Sequence, residues 1–100
     1  MMILYKIIKI EHSGRRGIRG EPVTDGKYDG LVNSVFYLIG IDTLEQCGQF
    51  SMLHMKFVET ESYYDDWHTS EVLQIIRHFD DLYEVETVNT IYYLMRIPNN

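Results

Sequence analysis

The chain has 100 residues and a formal net charge of −6. This acidic balance argues against general affinity for duplex nucleic acid, because such affinity comes from a basic surface that neutralises phosphates. The length fits one domain over residues 1–100, and the single cysteine, Cys47, excludes an internal disulfide and fits a reducing cytosol.

The amino-terminal segment does not have the pattern of a signal peptide, and no apolar run approaches the ~18 residues that a membrane span needs. We therefore expect a cytoplasmic protein. The first predicted strand covers Met2–His12, which is rich in β-branched and aromatic residues. Turn residues in Glu21–Gly30 predict a connection. Further strands are predicted at Leu31–Asp42 and Phe50–Glu59, with a turn or short helix at Thr43–Gly48 between them.

A glycine-punctuated loop, Gly14–Gly20, follows the first strand and holds three of the five arginines of the chain, Arg15, Arg16 and Arg19. In an acidic protein this gathering indicates a local anion site, because arginine presents a fixed fork of donors that fits phosphate and carboxylate. The alternative is a solvated loop whose arginines pair with the acidic surface.

The segment Ser70–Tyr83 has two interpretations. Its apolar residues follow helical spacing, which favours a helix with an N-cap at its start. In the competing hairpin, Val72–Phe79 forms a strand, Asp80 and Asp81 form the turn, and Tyr83–Ile97 returns. The acidic and aromatic stretch before it, from residue 61 to residue 67, is expected at the surface.

The run Tyr83–Ile97 is the clearest predicted strand, because its apolar residues alternate with period two. Asn89 interrupts the apolar row. One interpretation places it at a bulge or bend, where its side chain satisfies nearby backbone groups. The other is that its amide hydrogen-bonds a ligand, since an amide both donates and accepts.

Two predicted strands are apolar on both faces, and a closed barrel of 100 residues is not expected to bury both. In the first strand, three apolar residues lie on one face and three on the opposite face: Ile3, Tyr5 and Ile7, and Leu4, Ile8 and Ile10. We therefore predict a homo-oligomer that covers the surplus. The predicted fold class is mainly β, with α+β as the alternative: a small antiparallel sheet or partly open barrel of about five strands, with at most one or two short helices.

Catalytic and metal-binding patterns are weak. The histidines have no i, i+4 pair and no Cys/His ligand spacing; they are His12, His54, His68 and His78. Cys47 has no marked basic partner to activate it. We therefore predict no catalytic residue, no metal, no cofactor and no enzyme activity.

The remaining pattern combines the arginine loop with aromatic rings that can stack on a base. The candidate rings are Tyr63, Tyr64, Trp67, Phe79, Tyr92 and Tyr93. Because so little positive charge is present, a compact anionic nucleotide fits better than a polymer. Ordinary packing is the alternative for each ring.

Two stretches, Trp67–Ser70 and Val85–Tyr92, resemble a pattern in small β proteins of bacteria and their phages. In that pattern Thr-Ser opens a strand and Thr-x-Asn-Thr/Ser-x-Tyr lies on the next one, which favours the hairpin for residues 70–83. The size, the arginine-rich first loop and the pair Phe79 and Asn89 also resemble the Thoeris anti-defence family, phage sponges that sequester cyclic ADP-ribose isomers or cyclic oligonucleotides at subunit interfaces.

The resemblance implies a non-catalytic phage protein in an infected bacterial host, with a cyclic nucleotide immune signal as ligand. It implies that Phe79 stacks on adenine, that Asn89 hydrogen-bonds the ligand, and that arginines hold the phosphates: Arg15, Arg16, Arg19 or Arg96. Two alternatives stay open. An acidic inhibitor would contact a host protein through residues 59–66, and an SH3-like or KOW-like module would use the strand and arginine loop.

Overall fold

Six antiparallel strands close into a barrel in the computed structural model, which describes residues 2–98. Each strand pairs with the next along the chain, and the last pairs with the first. The strands are β1 (Tyr5–His12), β2 (Val35–Leu38), β3 (Met52–Glu59), β4 (Asp66–Phe79), β5 (Leu82–Thr87) and β6 (Thr90–Arg96). Short 3₁₀ helices at Gly26–Tyr28 and Leu44–Gln46 lie in loops. The mainly β prediction is confirmed, and the barrel is closed.

The segment after Ser70 forms the predicted hairpin and not a helix. Strands β4 and β5 are joined at Asp80 and Asp81, and Asp80 takes a left-handed conformation with a φ of 46°. Prediction of one strand over Tyr83–Ile97 was wrong, because β5 and β6 are separate strands joined at Val88 and Asn89.

A pair of buried threonines explains the turn between β5 and β6. The Thr87 hydroxyl donates to the Thr90 carbonyl oxygen at 2.7 Å and accepts the Thr90 backbone N–H at 3.1 Å. Both threonines are buried but lie three residues apart, so the inward positions change from odd-numbered residues in β5 to even-numbered residues in β6. This change is not visible in the sequence, because β6 carries apolar residues on both faces. The chain bends at Asn89 as one interpretation expected, but the side-chain oxygen Oδ1 of Asn89 does not satisfy nearby backbone groups as that interpretation also expected.

A β-bulge decides which side chains of β1 enter the barrel. Tyr5 and Ile7 are fully buried, the register of β1 against β6 then shifts between Ile7 and Lys9, and Ile10 is buried again. An extra residue in one strand moves the following side chains to the other face. The closed barrel therefore buries Ile10, which strict alternation placed on the face opposite Ile7, so this residue is not part of the surplus apolar surface.

The second predicted strand is shorter than expected. Only Val35–Leu38 of Leu31–Asp42 is strand, with Phe36 and Leu38 buried. The chain before it turns at Asn33, whose φ is 75°, and Leu31 is fully buried in the core.

Two ends of the barrel carry different loops. The loop end, where β1 and β5 finish, carries the Gly14–Gly20 loop and the turn at Val88 and Asn89. The hairpin end carries the turn at Asp80 and Asp81. No helix within residues 2–98 is long and apolar enough to cross a bilayer.

Candidate functional site

A cleft of about 290 Å³ opens at the loop end, between the arginine loop, the first 3₁₀ helix and the β5–β6 turn. Its volume lies near the lower limit of small-molecule sites. The polar residues that line it include His12, Arg16, Lys27 and Asn89. The cleft therefore joins two of the residues predicted from sequence, Arg16 and Asn89, within one subunit.

The backbone of Asn89 makes hydrogen bonds to neighbouring residues, whereas its side-chain oxygen makes none within residues 2–98. The Asn89 backbone N–H donates to the Ser70 hydroxyl at 3.2 Å, and its carbonyl oxygen accepts the Ser13 N–H at 3.5 Å. The side-chain oxygen Oδ1 is buried and has no hydrogen-bond partner among the described residues. A buried acceptor without a partner is costly, by about 1–3 kcal/mol, so this atom is suited to accept a hydrogen bond from a ligand.

His12 supplies a second unsatisfied atom. Its Nδ1 is buried with no hydrogen-bond partner in the part of the chain that the structure describes. The ring is held by the arginine loop, because a Cβ on Gly17 would lie 2.7 Å from the His12 ring carbons. Both residues that carry an unpaired buried atom, His12 and Asn89, therefore line the same cleft.

The charges of the cleft favour an anion. Arg16 and Lys27 both line it, and neither side chain makes an ion pair with residues 2–98. Asp25 is the opposing carboxylate, and its Oδ1 is occupied with the Lys27 backbone N–H at 3.1 Å. Counting these three side chains, the local charge is about +1 in a molecule of net charge −6.

Aromatic rings support the wall of the cleft. Tyr28 lines it and packs against Trp67, with ring centroids 5.1 Å apart. The indole N–H of Trp67 donates to the Tyr92 hydroxyl at 2.9 Å. Burial raises the pKa of Tyr28 and, more strongly, that of Tyr92, so both phenols stay protonated at neutral pH.

Two predicted ligand residues have other roles. Tyr92 is only 1% exposed, so its ring belongs to the core and cannot stack on a ligand in this conformation. Arg19 forms a two-pronged ion pair with Glu86, at 2.9 and 3.0 Å, and also donates to the Ser13 carbonyl oxygen. The alternative that a loop arginine pairs with the acidic surface therefore holds for Arg19.

The remaining predicted residues divide between the two ends. Arg15 lies in the exposed loop beside Arg16. Phe79, which is 67% exposed, and Arg96 line a shallow pocket at the hairpin end. Strand β5 separates them from Asn89 by about 20 Å, at about 3.3 Å per residue. One subunit therefore does not bring Phe79 and Arg96 to the cleft.

A larger cavity of about 430 Å³ lies beside the second 3₁₀ helix. Its main polar groups already pair with each other: the Tyr83 hydroxyl donates to Glu45 at 2.6 Å, and Arg77 lies 3.8 Å from the same carboxylate. The smaller cleft, with its two unpaired buried atoms, is the better candidate.

Sequence reasoning did not single out Lys27, Tyr28 or the ring of His12 as cleft residues. Lys27 and Tyr28 belong to a segment whose sequence predicts only a connection. This segment reaches the cleft because the loop before it folds back along β1, where Glu11 and Pro22 form an isolated bridge. The Asp-Gly turn signal that precedes them indicates a turn but not its position.

Comparison with known proteins adds no relative: no family model, curated protein or solved structure matches this chain.

Proposed function

We propose that this protein binds a small anionic nucleotide, without catalysis, in the cleft between the arginine loop and the β5–β6 turn. The observation that carries the proposal is that one cleft is lined by two residues with a buried, unpaired polar atom, His12 and Asn89, and by two cations, Arg16 and Lys27. Neither cation has an ion-pair partner among residues 2–98. Such a site gives a ligand directional hydrogen bonds together with charge.

Each part of a nucleotide has a counterpart in the cleft. Arg16 and Lys27 bind the phosphate, because both are cationic and line the cleft. The Asn89 side-chain oxygen accepts a hydrogen bond from an exocyclic amine or a ribose hydroxyl. His12 Nδ1 donates or accepts a hydrogen bond, depending on the tautomer of the ring. Binding satisfies groups that the free protein leaves unpaired, so it stabilises the fold.

The resemblance to the Thoeris anti-defence family narrows the ligand to a cyclic nucleotide immune signal and the role to sequestration by a phage protein. Cyclic ADP-ribose isomers and cyclic oligonucleotides are therefore the first compounds to test. In this proposal Phe79 and Arg96 reach the ligand only from a neighbouring subunit, because they lie at the hairpin end of their own.

The test is isothermal titration calorimetry with cyclic ADP-ribose isomers, cyclic dinucleotides and linear mononucleotides. We expect one class to bind, and we expect Arg16→Ala or Asn89→Ala to weaken that binding about tenfold or more, as the loss of a hydrogen bond to a charged or buried group does. Mass spectrometry after denaturation should recover the ligand unchanged.

Arg77→Ala is the matched control, since it removes an exposed arginine near the hairpin end. Binding that falls equally in this variant, or no binding of any nucleotide, contradicts the proposal. Arg96→Ala separates two versions of the site: loss of affinity supports a site shared between subunits, and unchanged affinity supports a cleft within one subunit.

A second candidate function is direct inhibition of a host protein. Tyr63 is 96% exposed and stands among the exposed carboxylates of Glu59, Glu61 and Asp65. An exposed ring in an acidic surface suits a basic protein partner. Reversing the charge of Glu61 and Asp65 should abolish capture of a host partner while Arg16→Ala leaves it intact; the opposite pattern rejects this function.

A further inference from the structure

A second cluster of ligating side chains lies on the outer face of the barrel, on β3 and β4. His54 of β3 and His68 of β4 are register partners, and their imidazole rings stack with centroids 3.8 Å apart. Asp66 lies on the same face as His68, two residues earlier, and its Oδ2 is 2.7 Å from His54 Nε2. One ligand atom from each residue falls within 4.8 Å of the others.

The strand pattern fixes the direction of these side chains. Leu53 and Met55 on β3 are buried, so His54 between them points outward. Thr69 on β4 is buried, so His68 before it also points outward. Pairing of β3 with β4 then holds the two imidazoles side by side, with their backbones fixed by the closed barrel.

From this geometry we propose that His54, His68 and Asp66 form a binding site for a borderline divalent transition metal, of which Zn²⁺ is the representative. Two imidazole nitrogens and one carboxylate oxygen are a ligand set that such ions bind, with further positions left to water. The site lies on the outside of the strands and is independent of the nucleotide cleft.

The distances allow the site to form with small movements. Metal–ligand bonds of about 2.0–2.2 Å place tetrahedral ligand atoms about 3.4 Å apart, which falls between the 2.7 Å contact and the 4.8 Å limit of the cluster. His54 and Asp66 are partly exposed and His68 is exposed, so side-chain rotation does not disturb the core. The metal displaces the proton shared by His54 Nε2 and Asp66 Oδ2, which is released to solvent.

The same barrel contains a matched control. His78 Nε2 lies 2.9 Å from Glu84 Oε1, which gives a histidine and carboxylate pair on neighbouring strands. Among the described residues this pair has no third ligand within reach. A metal that needs only one imidazole and one carboxylate would bind both places, whereas the proposed site requires the second imidazole.

The experiment is calorimetric titration of the chelator-treated full chain with Zn²⁺. We expect one ion to bind per chain, His54→Ala or His68→Ala to weaken binding about tenfold or more, and His78→Ala to leave it unchanged. Circular dichroism verifies that each variant is folded, and the exposed His68 is the safest position for that purpose.

Three results overturn the proposal. They are no Zn²⁺ binding by the folded chain, equal loss in the His78→Ala variant, and unchanged affinity in the double variant His54→Ala and His68→Ala. Arg16→Ala should leave the Zn²⁺ affinity intact, because Arg16 belongs to the cleft. A parallel titration with a cyclic nucleotide measures the cleft, so failure of one site can be distinguished from failure of the other.

Discussion

At the scale of single residues, Arg19 is an anchor rather than a ligand. Its guanidinium donates hydrogen bonds to Glu86 on β5 and to the carbonyl oxygen of Ser13, just after β1, and so links the arginine loop to both strands. The neighbouring Arg15 and Arg16 make no ion pair among residues 2–98. Three arginines that look equivalent in sequence therefore have different roles, which depend on a carboxylate 67 positions away.

The Arg19 and Glu86 pair predicts a pH dependence of stability. The hydrogen bond from Arg19 lowers the pKa of Glu86 below its usual value near 4.5, so the stabilisation is present above that value and is lost as the pH falls through the folded-state pKa. Replacing Arg19 with methionine should lower the unfolding midpoint in urea at pH 7 and reduce the loss on acidification from pH 5 to pH 3.

Arg15→Met is the control, because it removes the same charge from the same loop. If both variants show the same acid dependence as the unmodified chain, the pair does not contribute to stability.

At the scale of the elements, two glycines take a left-handed conformation in loops, and one of them also permits close packing of two loops. Gly30 has a φ of +78°, and a Cβ there would lie 2.6 Å from the backbone of Glu61 and Ser62. Gly20 has a similar φ of +89° but open space around it. A substitution at Gly20 therefore measures only the strain of the left-handed conformation, whereas a substitution at Gly30 adds the cost of a backbone clash.

Gly20→Ala should destabilise the fold by about 1–2 kcal/mol, which is the cost of a left-handed L-residue. Gly30→Ala should cost about 2–5 kcal/mol, because overpacking adds about 1–3 kcal/mol. Urea unfolding measures both. Equal losses in the two variants contradict the close approach of residue 30 to the chain at 61 and 62.

Part of the strand content could be predicted from local sequence, since β-branched and aromatic runs locate β1 and β3. The β4–β5 hairpin could not, because the apolar residues of 70–83 follow helical spacing, and only the resemblance favoured the hairpin. The Val88–Asn89 turn was hidden because Ile91 and Tyr93 continue the odd-numbered apolar row of β5 in the sequence, although the inward positions of β6 are the even-numbered ones. For the candidate sites, arginine clustering and the isolated amide identified Arg16 and Asn89. The contact between His54 and His68 depends on strand pairing, which ligand spacing along the chain cannot reveal.

At the scale of the whole molecule, the barrel buries much apolar surface but leaves some outside. Met52 and Val58 are 60% and 52% exposed on the outer side of β3, and Phe50 before the strand is 62% exposed. Exposed apolar groups of this kind are typical of association surfaces. The homo-oligomer predicted from sequence therefore remains a prediction with named residues.

Light scattering during size exclusion should give a mass that is a multiple of 11.9 kDa, and the double variant Met52→Glu and Val58→Glu should shift it toward the single chain. Ile18→Glu, which changes an exposed apolar residue of the arginine loop, serves as the comparison. A single-chain mass for the unmodified protein at micromolar concentration refutes the oligomer.

Trp67 has a structural link to each proposed site. Its ring packs on Tyr28 at the cleft, and its backbone joins Asp66 to His68 on β4. It is the single tryptophan of the chain. Its ring contacts the cleft residue Tyr28, and its strand carries Asp66 and His68, so its intrinsic fluorescence gives an optical signal for nucleotide and metal titrations in the native protein without attaching a dye.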